Sequence, residues 1–138
     1  IFITENGVAD KHDGYRAPFI VSHLQQVRRA MDDGAHIMGY LHWSLMDNYE
    51  WLDNYRPEGK FGLFSIDFEE QHPSDSGLMR QKTKGAEALE LIIKESVSQS
   101  KNGVISDSAI AEAQNKFGTF TEDGSRVIYP WMTKWNNG

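Results

Sequence analysis

Glu5 is the first side chain in this sequence whose position indicates chemistry. It ends a short run of β-branched and aromatic residues, Ile1 to Thr4, and the turn signal Asn6-Gly7 follows it. Such a run predicts a buried strand with the carboxylate at its C-terminal tip. In an α/β barrel the C-terminal strand ends form the active-site face, so Glu5 is a candidate catalytic carboxylate. The alternative is a hairpin at Asn6-Gly7 that Glu5 only flanks.

The segment His42 to Trp51 holds the second concentration of chemically useful side chains. Its ten residues include two tryptophans, one tyrosine and two acids. Aromatic and acidic side chains rarely cluster so densely by chance. The segment therefore favours the interpretation of Glu5 as a catalytic carboxylate. No role is assigned to Tyr49 or His42, because a lone histidine in an apolar strand is usually a hydrogen-bonded core residue.

Composition excludes several classes of function. The chain has 138 residues, of which 39% are hydrophobic and 25% charged, so it predicts an ordinary globular fold. The absence of cysteine excludes disulfides, thiolate metal sites and a cysteine nucleophile. A formal charge of -6 argues against a nucleic-acid surface. The five histidines show no close ligand spacing, so neither a metal nor a cofactor is predicted.

The sequence also predicts a soluble protein. No apolar stretch approaches the roughly 20 residues that span a bilayer, so no membrane association is expected. Ile1 stands where an initiator methionine would, and we expect the chain to be a piece of a larger protein. The sequence does not decide the cellular compartment, although the cytoplasm is slightly favoured. A chain that lacks its natural N-terminus cannot show whether a targeting segment preceded it.

Hydrophobic spacing predicts alternating strands and helices. After the first strand and a polar loop, Pro18 opens a helix that ends near Gly34 and has one apolar stripe, at Ile20, Leu24, Val27 and Met31. The apolar run Ile37 to Trp43 predicts a parallel strand covered on both faces. A long loop follows, then a short strand pair or irregular return at Phe61 to Phe68. A second helix begins near Leu78 or Thr83, with its apolar side at Ala86, Leu89 and Ile93.

Beyond Ser96 the composition changes. Ser98 to Ser106 is small and polar and predicts a linker. We expect a short helix at Asp107 to Phe117, a hairpin around Asp123-Gly124, and an aromatic end, Pro130 to Trp135, that docks on a surface. Strand, helix, strand, helix in order favours a fold of βα units.

These motifs in this order resemble the retaining β-glycosidases of glycoside hydrolase family 1. The resemblance rests on several short segments in order, namely Thr4-Glu5-Asn6-Gly7, His23-Leu24, Asp33-Gly34, Gly39 to Leu45, Asp47 to Trp51, Phe61-Gly62-Leu63 and Ile66-Asp67. It implies a (β/α)8 TIM barrel, of which residues 1–97 would be the C-terminal part with the last two βα units. Residues 98–138 would be a linker and C-terminal extension.

The resemblance also implies roles for individual residues. Glu5 would be the nucleophile that forms a glycosyl-enzyme intermediate. The family's acid/base lies in an Asn-Glu-Pro sequence that is absent here. Trp43 would be the sugar platform, while Glu50 and Trp51 would bind sugar hydroxyls and Phe61 would line the site. The Glu50-Trp51 pair resembles members that hydrolyse unphosphorylated β-glucosides or β-galactosides.

Departures from the family pattern leave the geometry of one loop open. Asn54 and Lys60 stand where the family usually has Gly and Arg, and the loop Leu52 to Gly59 is about two residues longer. A TIM barrel needs about 250 residues, so we expect this chain alone to be inactive and to need the N-terminal part of the barrel as a partner. Two alternatives remain: a noncatalytic sugar-binding or scaffold remnant, and an unrelated α/β interaction module.

Overall fold

The computed structural model describes residues 1–68, 78–99, 104–121 and 127–128, the last two by their backbone alone. The predicted order of strand, helix, strand and helix is confirmed. Along the chain the elements are β1 (Phe2–Asn6), α1 (Arg16–Asp32), β2 (Gly39–His42), a one-turn 3-10 helix (Pro57–Gly59), β3 (Phe64–Ile66), β4 (Arg80–Lys82), α2 (Lys84–Gln99), α3 (Asp107–Phe117), β5 (Thr119–Phe120) and β6 (Val127–Ile128).

Strands β1 and β2 form a parallel pair, as predicted for βα units. Phe2 pairs with Gly39 and Ile3 with Tyr40, but the next partner of His42 is Asn6. One extra residue therefore lies in β1 between Ile3 and Asn6, which makes a β-bulge at Thr4-Glu5. The prediction that Asn6-Gly7 marks a hairpin is wrong, because the strand that pairs with β1 follows only after α1.

The predicted burial of these strands is also wrong. Phe2 is 49% exposed and Leu41 is 52% exposed. The reason is that the described helices cover one face of the pair. Tyr40 packs against the helical core, while the side chains that alternate with it have no described element above them.

Helices α1, α2 and α3 enclose the hydrophobic core. The predicted stripe of α1 is confirmed at Ile20, Leu24 and Val27, which are buried, while Met31 is half-buried. α3 contributes Ala109, Ile110, Ala113 and Phe117 to the same core. The structure confirms its predicted bounds, and Gly118 follows it with a φ of 78°.

Side chains of the segments that precede them set where α1 and α2 begin. α1 begins two residues before the predicted Pro18, because the Asp10 carboxylate accepts hydrogen bonds from the N–H groups of Tyr15 and Arg16 at its first turn. At the start of α2, the Thr83 hydroxyl accepts from the Ala86 N–H and donates to the Leu63 carbonyl. These bonds satisfy first-turn donors that a helix cannot satisfy itself.

The remaining segments differ in part from the predictions. The segment Phe61 to Phe68 contains one strand, β3, which pairs antiparallel with β4 instead of with a partner inside that segment. α2 extends to Gln99, so the predicted linker begins inside it. β5 and β6 pair antiparallel, as the predicted hairpin requires. The turn Asp123-Gly124 and the aromatic segment Pro130 to Trp135 lie outside the described residues.

Candidate active site

Glu5 lies at the carboxyl end of β1, where the predicted site should form. Its side chain is exposed, and it is the penultimate residue of the strand. The β-bulge places an extra residue at this point, and bulges next to active sites change the direction in which a side chain leaves the strand. The carboxylate is therefore available to a ligand at this end of the strand pair.

Trp43 and Glu50, two predicted sugar-binding residues, are brought together. The Trp43 indole Nε1–H donates to Glu50 Oε1 at 3.0 Å. The Trp43 backbone N–H donates to the Asn6 carbonyl at 3.0 Å. Since Asn6 follows Glu5 directly, this bond holds Trp43 close to Glu5. The Trp43-Ser44 peptide bond is cis. One end of the strand pair thus carries an indole, its carboxylate partner and the candidate nucleophile.

Gly7 lets these two strand ends approach closely. A Cβ atom at Gly7 would lie 1.8 Å from the Trp43 carbonyl oxygen. No side chain fits at that distance, so the glycine of the Thr4 to Gly7 motif is required by the position of Trp43. This glycine was predicted only as a turn signal, and its packing role depends on a strand far away in sequence.

Phe61 joins the same cluster through its backbone. Its carbonyl accepts from the Ser44 N–H at 3.2 Å and lies 3.3 Å from His42 Nε2. Its side chain is half-buried. The backbone of Phe61 therefore lies next to the Trp43-Ser44 segment, and the lining role of its side chain stays a prediction.

Trp51 is separate from this cluster in the described structure. It is 91% exposed, as is Leu52, and both lie in a turn closed by two backbone hydrogen bonds between Glu50 and Asn54. Asn54 has a φ of 56°, in the left-handed region that asparagine tolerates better than most residues. That conformation accounts for asparagine at a position where the family usually has glycine.

Asp47 is a buried residue of the site to which the sequence assigned no role. Its two carboxylate oxygens accept from the N–H groups of Gly62, at 2.8 Å, and Ile66, at 3.0 Å. Lys60 Nζ lies 4.0 Å from Oδ2. Asp47 therefore joins the Trp43 segment to the Phe61 segment. Its backbone partners lie 15 and 19 residues away, so no local signal in the sequence indicates them.

Two partly buried polar side chains support the strand ends. The Tyr40 hydroxyl donates to Asn6 Oδ1 at 2.8 Å, and burial raises the pKa of Tyr40. Burial lowers the pKa of His42 to about 4, since the hydrogen bond to the Phe61 carbonyl only partly offsets it and the Arg16 charge adds to it. His42 is neutral at physiological pH, and its Nδ1 is buried with no partner among the described residues.

The arrangement suits carbohydrate chemistry. An indole face packs against the C–H groups of a sugar, while carboxylates accept hydrogen bonds from its hydroxyls. The described residues contain no group of three or more side chains placed to hold a metal ion. In that part of the chain no helix is long and apolar enough to cross a membrane. The fold and site together define a set of βα units with an indole and two carboxylates at one end of a parallel strand pair.

The family follows from sequence comparison. The sequence profile of Glycosyl hydrolase family 1 matches residues 1–97, and the chain belongs to this family. A β-galactosidase of Saccharolobus solfataricus is 48% identical over 68 residues, which are 49% of this chain and 14% of that protein. The family membership excludes the alternative of an unrelated interaction module.

Solved structures agree with the sequence match. The structure of a hyperthermophilic β-glucosidase from Pyrococcus furiosus matches with a TM-score of 0.59 and 40% identity, over 84% of this chain and 21% of that one. A β-glycosidase from Pyrococcus horikoshii matches with a TM-score of 0.60 and 32% identity, over 89% of this chain and 24% of that one. This chain spans less than a quarter of the length of these relatives, and its fold is consistent with part of a TIM barrel.

Proposed function

We propose that this chain supplies the nucleophile and part of the sugar-binding surface of a retaining β-glycosidase. Glu5 attacks the anomeric carbon of a terminal β-glucoside or β-galactoside and forms a glycosyl ester, and water then releases the sugar with its configuration retained. The observation that supports this most strongly is the Trp43 to Glu50 hydrogen bond at the same strand ends as Glu5.

Each binding residue has a defined part in this proposal. Trp43 is the stacking platform. The Glu50 carboxylate accepts hydrogen bonds from sugar hydroxyls through the lone pairs that the bond from the indole does not use. Trp51 and Phe61 border the sugar from the exposed turn and from the strand side. The Glu50-Trp51 pair favours an unphosphorylated sugar, because a carboxylate repels a phosphate group.

The reaction needs a second carboxyl group. In retaining enzymes it stands about 5 to 5.5 Å from the nucleophile, protonates the leaving oxygen and later deprotonates the attacking water. We assign this role to no residue of this chain, and Glu50 remains a binding residue because it is held by Trp43. The acid/base then comes from another part of the barrel.

The domain organisation is part of the same proposal. Residues 1–97 belong to the last two βα units of a TIM barrel, and the linker and extension follow α2, which ends at Gln99. The exposure of Phe2, Met38 and Leu41, which are 49%, 78% and 52% exposed, supports a missing cover on the open face of the strands. The N-terminal part of the barrel is the partner that would cover it, and without it the chain is inactive.

A second candidate is a noncatalytic sugar-binding remnant. It is favoured by one observation: the Trp43 to Glu50 pair forms without the acid/base and without a complete barrel. In this case Glu5→Gln leaves sugar binding unchanged and no added partner restores turnover.

The test is covalent labelling by a 2-deoxy-2-fluoro β-glucoside with a dinitrophenolate leaving group. This leaving group departs without protonation, so the missing acid does not limit the result. The chain is tested alone and as a fusion that replaces the matching C-terminal region of the Pyrococcus furiosus β-glucosidase. We expect a fluoroglucosyl adduct on Glu5 in the fusion and none in its Glu5→Gln variant. An unlabelled fusion that still binds glucose, with the fluorogalactoside also negative, favours the remnant.

A further inference from the structure

Arg16 is a buried cation that the proposed chemistry does not use. It is 1% exposed and lies at the first position of α1. Its Nη2 donates to the carbonyls of Asp10, at 2.8 Å, and Lys60, at 2.7 Å. Its Nη1 pairs with Asp13 at 3.4 Å. One guanidinium therefore connects the loop after β1 with the residue immediately before Phe61.

The connection is reinforced by the backbone. The Asp10 N–H donates to the same Lys60 carbonyl at 2.9 Å, so this oxygen accepts two hydrogen bonds from the Glu5 side of the site. The next carbonyl, that of Phe61, accepts from the Ser44 N–H beside Trp43. A continuous set of hydrogen bonds thus runs from the loop that follows Glu5 to the platform.

The aliphatic stem of Arg16 packs closely against α2, while its Nε is buried with no partner among the described residues. A Cβ atom at Gly85 would lie 2.7 Å from Arg16 Cδ, so α2 leaves room for the aliphatic stem. Burial raises the pKa of Asp10, but hydrogen bonds from backbone N–H groups and the Arg16 charge outweigh it and hold the pKa below its usual value. Burying a guanidinium is costly, and its planar Nη2 group, whose two N–H bonds point in fixed directions, holds the two carbonyls at a set separation better than a flexible amine would.

We propose that Arg16 is a positioning residue that sets the distance between the Glu5 strand end and the Trp43 platform. It touches neither the sugar nor the reacting atoms, and the proposal rests on the proposed glycosidase function. In that function the nucleophile must meet the anomeric carbon of a sugar held by Trp43. A displacement of about 1 Å costs about a hundredfold in rate, while binding to the platform itself remains.

The kinetic test separates binding from the covalent step. Labelling of the fusion gives a dissociation constant for the fluoroglucoside and a rate constant for glycosylation. In Arg16→Met, which keeps the stem against Gly85, we expect the rate constant to fall about a hundredfold and the dissociation constant to change less than threefold. In Arg16→Lys, which keeps one short donor group, the rate constant should lie between those of the parent and of Arg16→Met.

Arg28→Met is the matched control. Arg28 lies on the same helix and donates to the Ile105 carbonyl at 3.0 Å, but it connects α1 to the segment before α3, away from the site. A purely structural role of Arg16 would reduce the folded fraction and leave the rate constant of the folded enzyme unchanged. A rate constant within threefold of the parent in Arg16→Met, or an equal fall in Arg28→Met, overturns the proposal.

A second readout does not depend on catalysis. The Ser44 N–H donates to the Phe61 carbonyl at 3.2 Å, so the hydrogen-exchange rate of the Ser44 amide, measured by NMR on this chain, reports the position of Phe61. We expect this amide to exchange about tenfold faster in Arg16→Met and at the parent rate in Arg28→Met. An unlabelled parent fusion would contradict the proposed function, whereas an unchanged Ser44 exchange rate in Arg16→Met would contradict the role of Arg16.

Discussion

The helical layer and the strand pair of this chain differ sharply in how completely they are packed. Ile20, Ala88 and Ala113, on three different helices, have no exposed surface, whereas Phe2 and Leu41 on the strands keep about half of theirs. Buried apolar area is the main source of stability, so the helices supply most of it. The strand ends instead hold the exposed carboxylate and indole. The comparison teaches that stability and the candidate site reside in different layers.

The largest expected effect tests this division directly. Ile20→Ala removes a fully buried side chain and should lower the free energy of unfolding by about 3 kcal/mol. Leu41→Ala in the isolated chain should change it by less than about 0.5 kcal/mol, because that side chain is already half in water. Urea unfolding of both variants gives the two values. Equal losses would show that the strand pair is packed as tightly as the helices.

The next effect concerns the buried carboxylate under the site. Asp47→Asn replaces an ion that accepts two backbone hydrogen bonds, and one N–H group should lose its acceptor. We expect a loss of about 2 kcal/mol in unfolding free energy. Asp53→Asn, in the exposed turn nearby, is the control and should be close to neutral. If both variants unfold alike, Asp47 does not hold the two site segments together.

A pH dependence sharpens the comparison further. The pKa of His42 is about 4 in the folded chain, below its usual value near 6.5, so the unfolded chain binds the proton first as the pH falls. The stability that the neutral His42 ring contributes to the folded chain is complete above pH 6.5 and is lost as the pH falls toward 4. From pH 7 to 5 we expect a loss of about 1 to 2 kcal/mol, after allowance for partial exposure of the ring.

Urea unfolding between pH 7 and 5 measures this loss. His42→Gln should remove most of the slope, because glutamine does not titrate. His36→Gln replaces an exposed histidine and serves as the control. A slope that persists in His42→Gln would mean that the pH sensitivity arises in another part of the molecule.

The smallest effect separates the two tryptophans. Trp43→Phe keeps an aromatic face but loses the Nε1–H bond to Glu50, and it should weaken sugar binding by the fusion by about 1 kcal/mol. Trp51→Phe removes no hydrogen bond among the described residues and should have a smaller effect. Calorimetric titration with glucose compares them. If Trp51→Phe weakens sugar binding more than Trp43→Phe does, the stacking residue is Trp51 in the exposed turn and not Trp43.

The sequence was sufficient to predict the helices and the positions of Glu5 and Trp43 at or next to strand ends. The stripe at Ile20, Leu24 and Val27 has helical spacing, and burial follows from that spacing alone. Glu5 and Trp43 stand next to local turn and strand signals. The signals for both are therefore contained within a few neighbouring residues.

The features that the sequence did not predict depend on distant partners. β4 is polar and exposed on every residue, so no periodicity indicates a strand, and only its pairing with β3 defines it. The bulge at Glu5 appears only when β1 is aligned with β2. The carbonyl that Arg16 binds on Lys60 lies 44 residues away. No local pattern contains such information.

The most direct test of the account is the mass of the fusion after incubation with the dinitrophenyl 2-deoxy-2-fluoro β-glucoside, followed by peptide mapping. The account predicts one fluoroglucosyl group on the peptide that contains Glu5, and none on that peptide in Glu5→Gln. A group attached to any other carboxylate, or an unlabelled Glu5 in a folded fusion that binds the sugar, would contradict the assignment of the nucleophile.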